Sequence, residues 1–347
     1  MTEPVLRHGR RGKLLRPFCR QAQVRTRGCS TLLQRVLTDF GAETAFGQVP
    51  ARVREHYGIT VPISTVRACT LVHAQAALVA PPPASAAADL VITEMDGGMV
   101  PLLENDPPPD SAPADRRCTK RLFWKEVRLC AAQAAGRVQA YYGASLDSVL
   151  EAGLTWEAVA HRAGAHAASR VHGVGDGAPW IAEQFALRFG GQGRYLVDFY
   201  HVSEYLAAAA PVCAPATPAE WRRQQQERLR ANRWADVLAA LLPQLEAEAP
   251  GRPARGQAAS LTPVRDCWRY VNERREQLDY AGALAAGLPI GSGLIESGHR
   301  HVVQARLKRA GTWWLARTAR VMIGLRVLRA NGDWERYWQS RPLHLNN

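Results

Sequence analysis

Three acids stand out by type and setting. Asp96 precedes Gly97-Gly98, Asp176 sits between Gly175 and Gly177, and Glu296 follows Gly291-Ser292-Gly293-Leu294-Ile295. Carboxylates gathered from separate elements make a hard-oxygen site suited to Mg2+, with water and substrate phosphate completing the shell. Two such ions about 3.5–4 Å apart activate an attacking water or hydroxyl and stabilise the leaving oxygen. A single acid in such a setting more commonly caps a helix or solvates a loop, so it is the set that points to chemistry. Asp198, in Asp198-Phe199-Tyr200-His201, competes with Asp176 for the second place. Asp176 is favoured because flanking glycines leave its carboxylate least obstructed, whereas His201 gives Asp198 a local partner. His201 itself suits either a satisfied structural residue or one that orients Asp198.

Short strands and helices must position these acids. Leu90 to Asp96 is an apolar, β-branched run that should end at Gly97-Gly98; Phe123 to Cys130 alternates like a strand. Val171 to Asp176 and Tyr195 to Asp198 read as further strands ending in an acid. Helical patterns over Leu146 to Arg170 and Ile181 to Phe189 lie between them, which implies an α/β layer with parallel pairs. The carboxyl ends of such strands are where these sheets place their sites. From Val202 to Ala286 no strand signal occurs, as expected of an all-helical insertion. A helix from about Leu294 to Ala310 should carry Glu296 in its first turn and stop at Gly311, and a last amphipathic helix should run from Trp313 to about Arg329.

The amino-terminal part reads differently. Apolar residues at helical spacing mark three helices around Leu32–Leu37, Phe46–Val53 and Val66–Val72, and Pro81-Pro82-Pro83 makes a linker. Tyr57-Gly58-Ile59-Thr60-Val61-Pro62 makes a turn before the third helix, with Ser64 or Thr65 as its cap. That is the arrangement of a helix-turn-helix, although an ordinary three-helix bundle gives the same pattern. The 347-residue chain carries 44 Lys and Arg against 31 Asp and Glu, a net charge of +13. Eight basic residues fall between Arg7 and Arg27 and ten between Arg300 and Arg341, which suggests a polyanionic partner. No uninterrupted apolar run approaches the roughly 20 residues of a membrane span, and no apolar core follows the basic start as in a signal peptide. A soluble, intracellular protein is expected. Its seven cysteines are scattered without a C-x-x-C pair, which argues for free thiols. Ten tryptophans mostly serve cores, so packing is the expected role of Trp313 and Trp314, with base stacking the alternative.

Five stretches together resemble a known motif series: Glu94-Met95-Asp96-Gly97, Gly175-Asp176-Gly177-Ala178-Pro179-Trp180-Ile181, Asp198-Phe199-Tyr200-His201, Gly291 to Ser297, and Arg306-Leu307-Lys308-Arg309-Ala310-Gly311-Thr312-Trp313-Trp314. The series is similar to that of bacterial insertion-sequence transposases of the DDE type, in the Kra-type group related to the Mutator-like superfamily, and spans about residues 90–338. The resemblance implies an α/β fold with a ribonuclease H-like catalytic core over 89–201 and 287–330. A helical insertion over 202–286 would interrupt it, an all-α, helix-turn-helix-like DNA-binding region over 1–80 would precede it, and a tail over 331–347 would follow. By this resemblance Asp96, Asp176 and Glu296 are the catalytic triad that holds Mg2+ or Mn2+, and Asp198 and His201 the D-x-x-H signature. Arg300, Arg306, Lys308 and Arg309 become candidate DNA contacts; His299 and His301 are expected on a solvated helix face. The implied partner is double-stranded DNA, at the element's terminal inverted repeats and at the target. The implied activity is hydrolysis at the ends and joining of the 3′ ends to target DNA, by a homo-oligomer in the cytoplasm at the nucleoid. A ribonuclease H-like nuclease without strand joining, or an inactive DNA-binding regulator, are the alternatives. Many relatives carry a Cys-pair element near the amino terminus, which Cys19 and Cys29 are too isolated to form.

Overall fold

A computed structural model describes residues 5–7, 9, 12, 14–17, 29–78, 86–105, 120–247 and 260–341. The expected linker at Pro81 to Pro83 lies outside them. The chain divides into two compact units. The first comprises Met1–Pro81, Val100–Lys125 and His301–Asn347, the second Pro82–Met99 and Glu126–Arg300. Residues 301–330, expected with the catalytic core, therefore group with the amino-terminal helices.

In the first unit, strands β1 (Leu6–Arg7) and β2 (Leu14–Leu15) pair antiparallel. Helices α1 (Thr31–Glu43), α2 (Val49–Tyr57) and α3 (Ile63–Ala77) follow where the apolar spacing predicts them. Ser30 caps α1 by accepting the Leu33 N–H at 3.2 Å, and left-handed Gly58 (φ 65°) ends α2. Neither Ser64 nor Thr65 caps α3, because the helix begins at Ile63 and Pro62 occupies its cap. Leu37, Val49, Val53 and Val66 form the core between the three helices. Helix α13 (Ala316–Ala330), near the carboxyl end, packs on α3. Within the stretch expected as a tail, α14 (Trp334–Gln339) buries Tyr337 and Trp338. His73 of α3 lies 4.4 Å from the Trp338 ring and is hydrogen-bonded to the Tyr337 hydroxyl at 2.9 Å. Helix α3 thus packs on chain more than 250 residues away.

The central sheet has the order β5-β4-β3-β6-β7. Its strands are β3 (Leu90–Asn105), β4 (Lys120–Ala134), β5 (Ala140–Ser145), β6 (Arg170–Gly175) and β7 (Gly193–Val197). β4 pairs β5 antiparallel, and β6 lies parallel between β3 and β7, so the sheet is mixed. A two-residue strand β8 (Trp314–Leu315) pairs with the far end of β3. Two features depart from expectation. β5 carries Tyr141-Tyr142-Gly143, too short and Gly-interrupted a run to register in the sequence pattern. β3 continues through Gly97-Gly98 instead of ending there.

In the second unit α4 (Val149–Arg162) and α5 (Pro179–Phe189) cover one part of the core, where Trp156, Ile181 and Phe185 meet Val91, Met95 and Val171. The Trp156 indole N–H donates to the Thr93 hydroxyl at 2.5 Å, so its one polar atom is satisfied inside the core. The insertion is helical as expected. Helices α6 (Phe199–Cys213), α7 (Pro218–Arg230), α8 (Trp234–Leu241), α9 (Pro263–Glu273) and α10 (Tyr280–Ala285) share a second core built on Phe199, Leu206, Leu229 and Val271. Helix α11 (Gly293–Gly298) then passes into a π-helical turn at His299–Gln304 and a last α-turn, α12 (Ala305–Leu307). The helix predicted over 294–310 is therefore shorter and interrupted. Its π turn begins at the histidine that reaches the acids, and such bulges recur at functional sites.

Candidate active site

Strand register brings the aspartates together. Met95 pairs with Gly175 across β3 and β6, and Gly175 pairs with Val197 across β6 and β7. Asp96, Asp176 and Asp198 each follow that line by one residue, on neighbouring parallel strands about 4.8 Å apart. They form a row where β6 and β7 end. Asp96 is not itself at a strand end, because β3 runs on past it.

The three carboxylates differ in how much of their bonding capacity is already used. Asp96 Oδ1 accepts the Gly97 N–H at 2.7 Å, and Oδ2 lies 3.3 Å from His299 Nε2. Asp176 accepts one bond, from the Ala178 N–H at 2.8 Å. Burial raises its carboxyl above the ordinary range and the neighbouring Asp96 charge adds to this, against the pull of the Ala178 N–H, His201 and Arg274. Asp198 is 4% exposed, and its Oδ1 accepts from the Tyr200 N–H at 2.6 Å and the His201 N–H at 3.2 Å as the cap of α6. Its Oδ2 accepts from the Ser292 N–H at 2.8 Å and from the Ser292 hydroxyl. Asp198 is a structural knot between the start of α6 and the entry to α11.

The insertion braces the Asp176 loop. The Tyr270 hydroxyl donates to the Asp176 carbonyl, and Arg274 Nε donates to the Gly177 carbonyl at 2.7 Å. Gly177 holds φ 75°, and a Cβ there would come within 2.6 Å of the Tyr270 oxygen, so only glycine allows this approach. His201 lies edge-on to Tyr205 and Tyr270, with its Nδ1 3.5 Å from Glu204.

Glu296 sits exposed in the first turn of α11. Among the described residues no group of three or more His, Cys, Asp or Glu side chains is placed to hold a metal ion. Asp96 and Asp176 by themselves still suit a hard divalent ion, because Mg2+ is typically held by one or two carboxylates, with water and phosphate completing its shell.

Two groups beside the acids were not assigned to the site from the sequence. Glu94 is 2% exposed and accepts the Ile295 N–H at 2.7 Å, tying the strand of Asp96 to the helix of Glu296. Burial pushes its carboxyl up to about 8, with the Asp198 and Glu296 charges adding, although the Ile295 and Leu294 N–H groups oppose this. The signal was its spacing: residues i and i+2 share a strand face, so Glu94 and Asp96 point the same way. His299, expected on a solvated face, is 6% exposed. It reaches Asp96 because residue 98 is glycine, where a Cβ would stand 2.7 Å from the imidazole. His301 is exposed, as expected.

Among the candidate DNA contacts, Arg300, Lys308 and Arg309 are exposed, and Arg309 Nη1 donates to the Glu43 carbonyl at 3.2 Å. Arg306 is not a surface cation. It is 1% exposed, its guanidinium lies between the Phe46 and Trp314 rings, and its Nε donates to the Gly41 carbonyl at 3.0 Å. Trp314 is buried as expected, whereas Trp313 is 40% exposed.

A family model described as an uncharacterised protein family, UPF0236, matches residues 159–341, from within α4 to beyond α14. No curated protein matches the chain. Among solved structures, the Drosophila P element transposase strand transfer complex is similar at a TM-score of 0.33 and 10% identity, over 93% of this chain and 83% of that one. No helix among the described residues is long and apolar enough to cross a membrane.

Proposed function

This chain belongs to the uncharacterised protein family UPF0236, and from its row of strand-borne carboxylates we propose that it is a DDE-type transposase of the Kra-type, Mutator-like kind. The observation that carries the reading is the register line Met95–Gly175–Val197, which sets Asp96 beside Asp176. Two further features support it. The order β5-β4-β3-β6-β7, three sequential strands followed by two parallel additions, supports a ribonuclease H-like core. The α2–Gly58–α3 turn suits a helix-turn-helix that grips duplex DNA at the element's inverted repeats.

In this reading Asp96, Asp176 and Glu296 would hold Mg2+ or Mn2+. Divalent ions held there would supply activation of a water or 3′-hydroxyl and charge stabilisation of the leaving oxygen. His299 Nε2 stands 3.3 Å from one oxygen of Asp96, Glu94 anchors the helix that carries Glu296, and Tyr270 with Arg274 holds the Asp176 loop. Arg300, Lys308 and Arg309 neutralise DNA phosphate, so binding weakens steeply with salt. The active species is a homo-oligomer on DNA.

The test is incubation of the purified full chain with labelled inverted-repeat DNA, target DNA and Mg2+ or Mn2+, beside Asp96→Asn. Metal-dependent nicking at the ends and joined products, both absent in the variant, are expected. Nicking without joining would reduce the protein to a ribonuclease H-like nuclease. Binding without either would make it a DNA-binding regulator.

A further inference from the structure

The first unit holds a cavity that plays no part in the carboxylate site. It measures about 180 Å3, and its lining includes Phe46, Arg67, Leu103, Arg306, Trp313 and Trp314. Sites for drug-sized ligands run to about 300–1,000 Å3, so this one has room for a single ring system. Its walls are largely aromatic and aliphatic. At its edge Trp313 is 40% exposed, edge-on at 6.3 Å to Trp124, itself 53% exposed. Indoles left this open forfeit burial that a ligand would restore.

A second observation is independent of the first. Arg306 is 1% exposed, yet its Nη1 has no hydrogen-bond partner among the described residues. A buried guanidinium held between two rings, with one of its donors unmatched, calls for an acceptor. Burial, together with the nearby Arg309 and Arg326 charges, also lowers its pKa to about 10, so the site strains even this base. Arg67, on α3, adds an exposed cation to the same lining.

We propose that this cavity takes one unpaired nucleobase of a DNA strand, stacked on Trp313 with a base carbonyl accepting from Arg306. A flat ring with an acceptor edge matches both the aromatic wall and the open donor. A phosphate would leave Phe46, Leu103 and Trp314 facing a hydrated anion. The inference rests on the proposal that the protein acts on DNA, and it gives Arg306, Trp313 and Trp314 a task that the acids leave open.

The experiment compares the full chain on two duplexes of one sequence, fully paired and with a single extruded base. Wild-type protein should prefer the duplex with the extruded base. Trp313→Ala should lose that preference, a drop of roughly 5- to 150-fold on the scale of one base–aromatic stack. Trp313→Phe should keep most of it, and the affinity for paired duplex should be the same in all three. A wild-type protein indifferent to the extruded base, or a Trp313→Ala variant that still prefers it, overturns the assignment. If the protein nicks DNA but ignores the extruded base, only the cavity's role falls. If it binds neither duplex, the transposase reading falls with it.

Discussion

Each unit buries charge, carboxylates in the second and guanidinium groups in the first, and each does so in two ways. Asp198 is surrounded by donors, two from the start of α6 and two from Ser292. Arg326 is its counterpart, donating to the Ala42 and His301 carbonyls and to Glu43. Both tie separate stretches of chain together. Half-buried Asp176 and buried Arg306 make a single direct side-chain hydrogen bond each, so their remaining capacity is open to a ligand. What distinguishes the members of each pair is how many direct bonds the side chain already makes, four for Asp198 and three for Arg326 against one each for Asp176 and Arg306.

The largest effect should come from the open acids. Asp96→Asn keeps the size of the side chain and loses the charge that holds the ion. Nicking should fall by about 10^3-fold or more, some 4 kcal/mol of transition-state stabilisation. DNA affinity should hardly move. Gel shift and cleavage assays on the same preparation check both, and wild-type rates in the variant would end the assignment of Asp96.

A sharper contrast lies between the neighbours Asp176 and Asp198. Asp176→Ala should be inactive at every Mg2+ or Mn2+ concentration while melting close to wild type, since it removes a desolvated acid with one bond. Asp198→Ala should cost about 2–4 kcal/mol of stability, through the lost cap and the buried donors left behind. Its activity should fall by only ~10–100-fold, as for a residue that orients a metal site. Melting curves and a metal titration separate the two, and the reverse pattern would exchange their roles.

The first unit should show its own pH dependence through His73. Burial, aided by the Arg341 charge, holds this histidine at about 4, below its ordinary 6.5. The folded protein therefore binds fewer protons here than the unfolded chain between those values. The stability tied to the neutral ring is complete above pH 6.5 and is lost as pH falls through 4. Thermal melts from pH 7 to pH 4 should fall less steeply in His73→Gln, and equal slopes would refute the assignment. The smallest effect belongs to the surface pair of Arg35 and Glu335. Arg35→Ala should change stability by less than about 1 kcal/mol, an amount that chemical denaturation can bound, because exposed partners gain little over water.

Much of this was legible in the residues themselves. Apolar spacing located α1 to α3, the absence of any strand signal marked the insertion, and glycines flanking Asp176 marked the least obstructed acid, since period and turn chemistry are local properties. What the spacing could not carry were the partners. Ser292 reaches Asp198 from 94 residues away, and Tyr337 and Trp338 turn an expected tail into core beneath α3. Arg306 reads as one more cation in a basic stretch until Phe46 and Trp314 close over it. Gly97-Gly98 reads as a strand end, yet β3 runs through it to pair with β8, and Gly98 leaves room for the His299 ring. The sequence by itself determined which elements form and which acids exist. Only the tertiary structure decided which acids stay open, because register and burial depend on contacts between residues far apart in the chain.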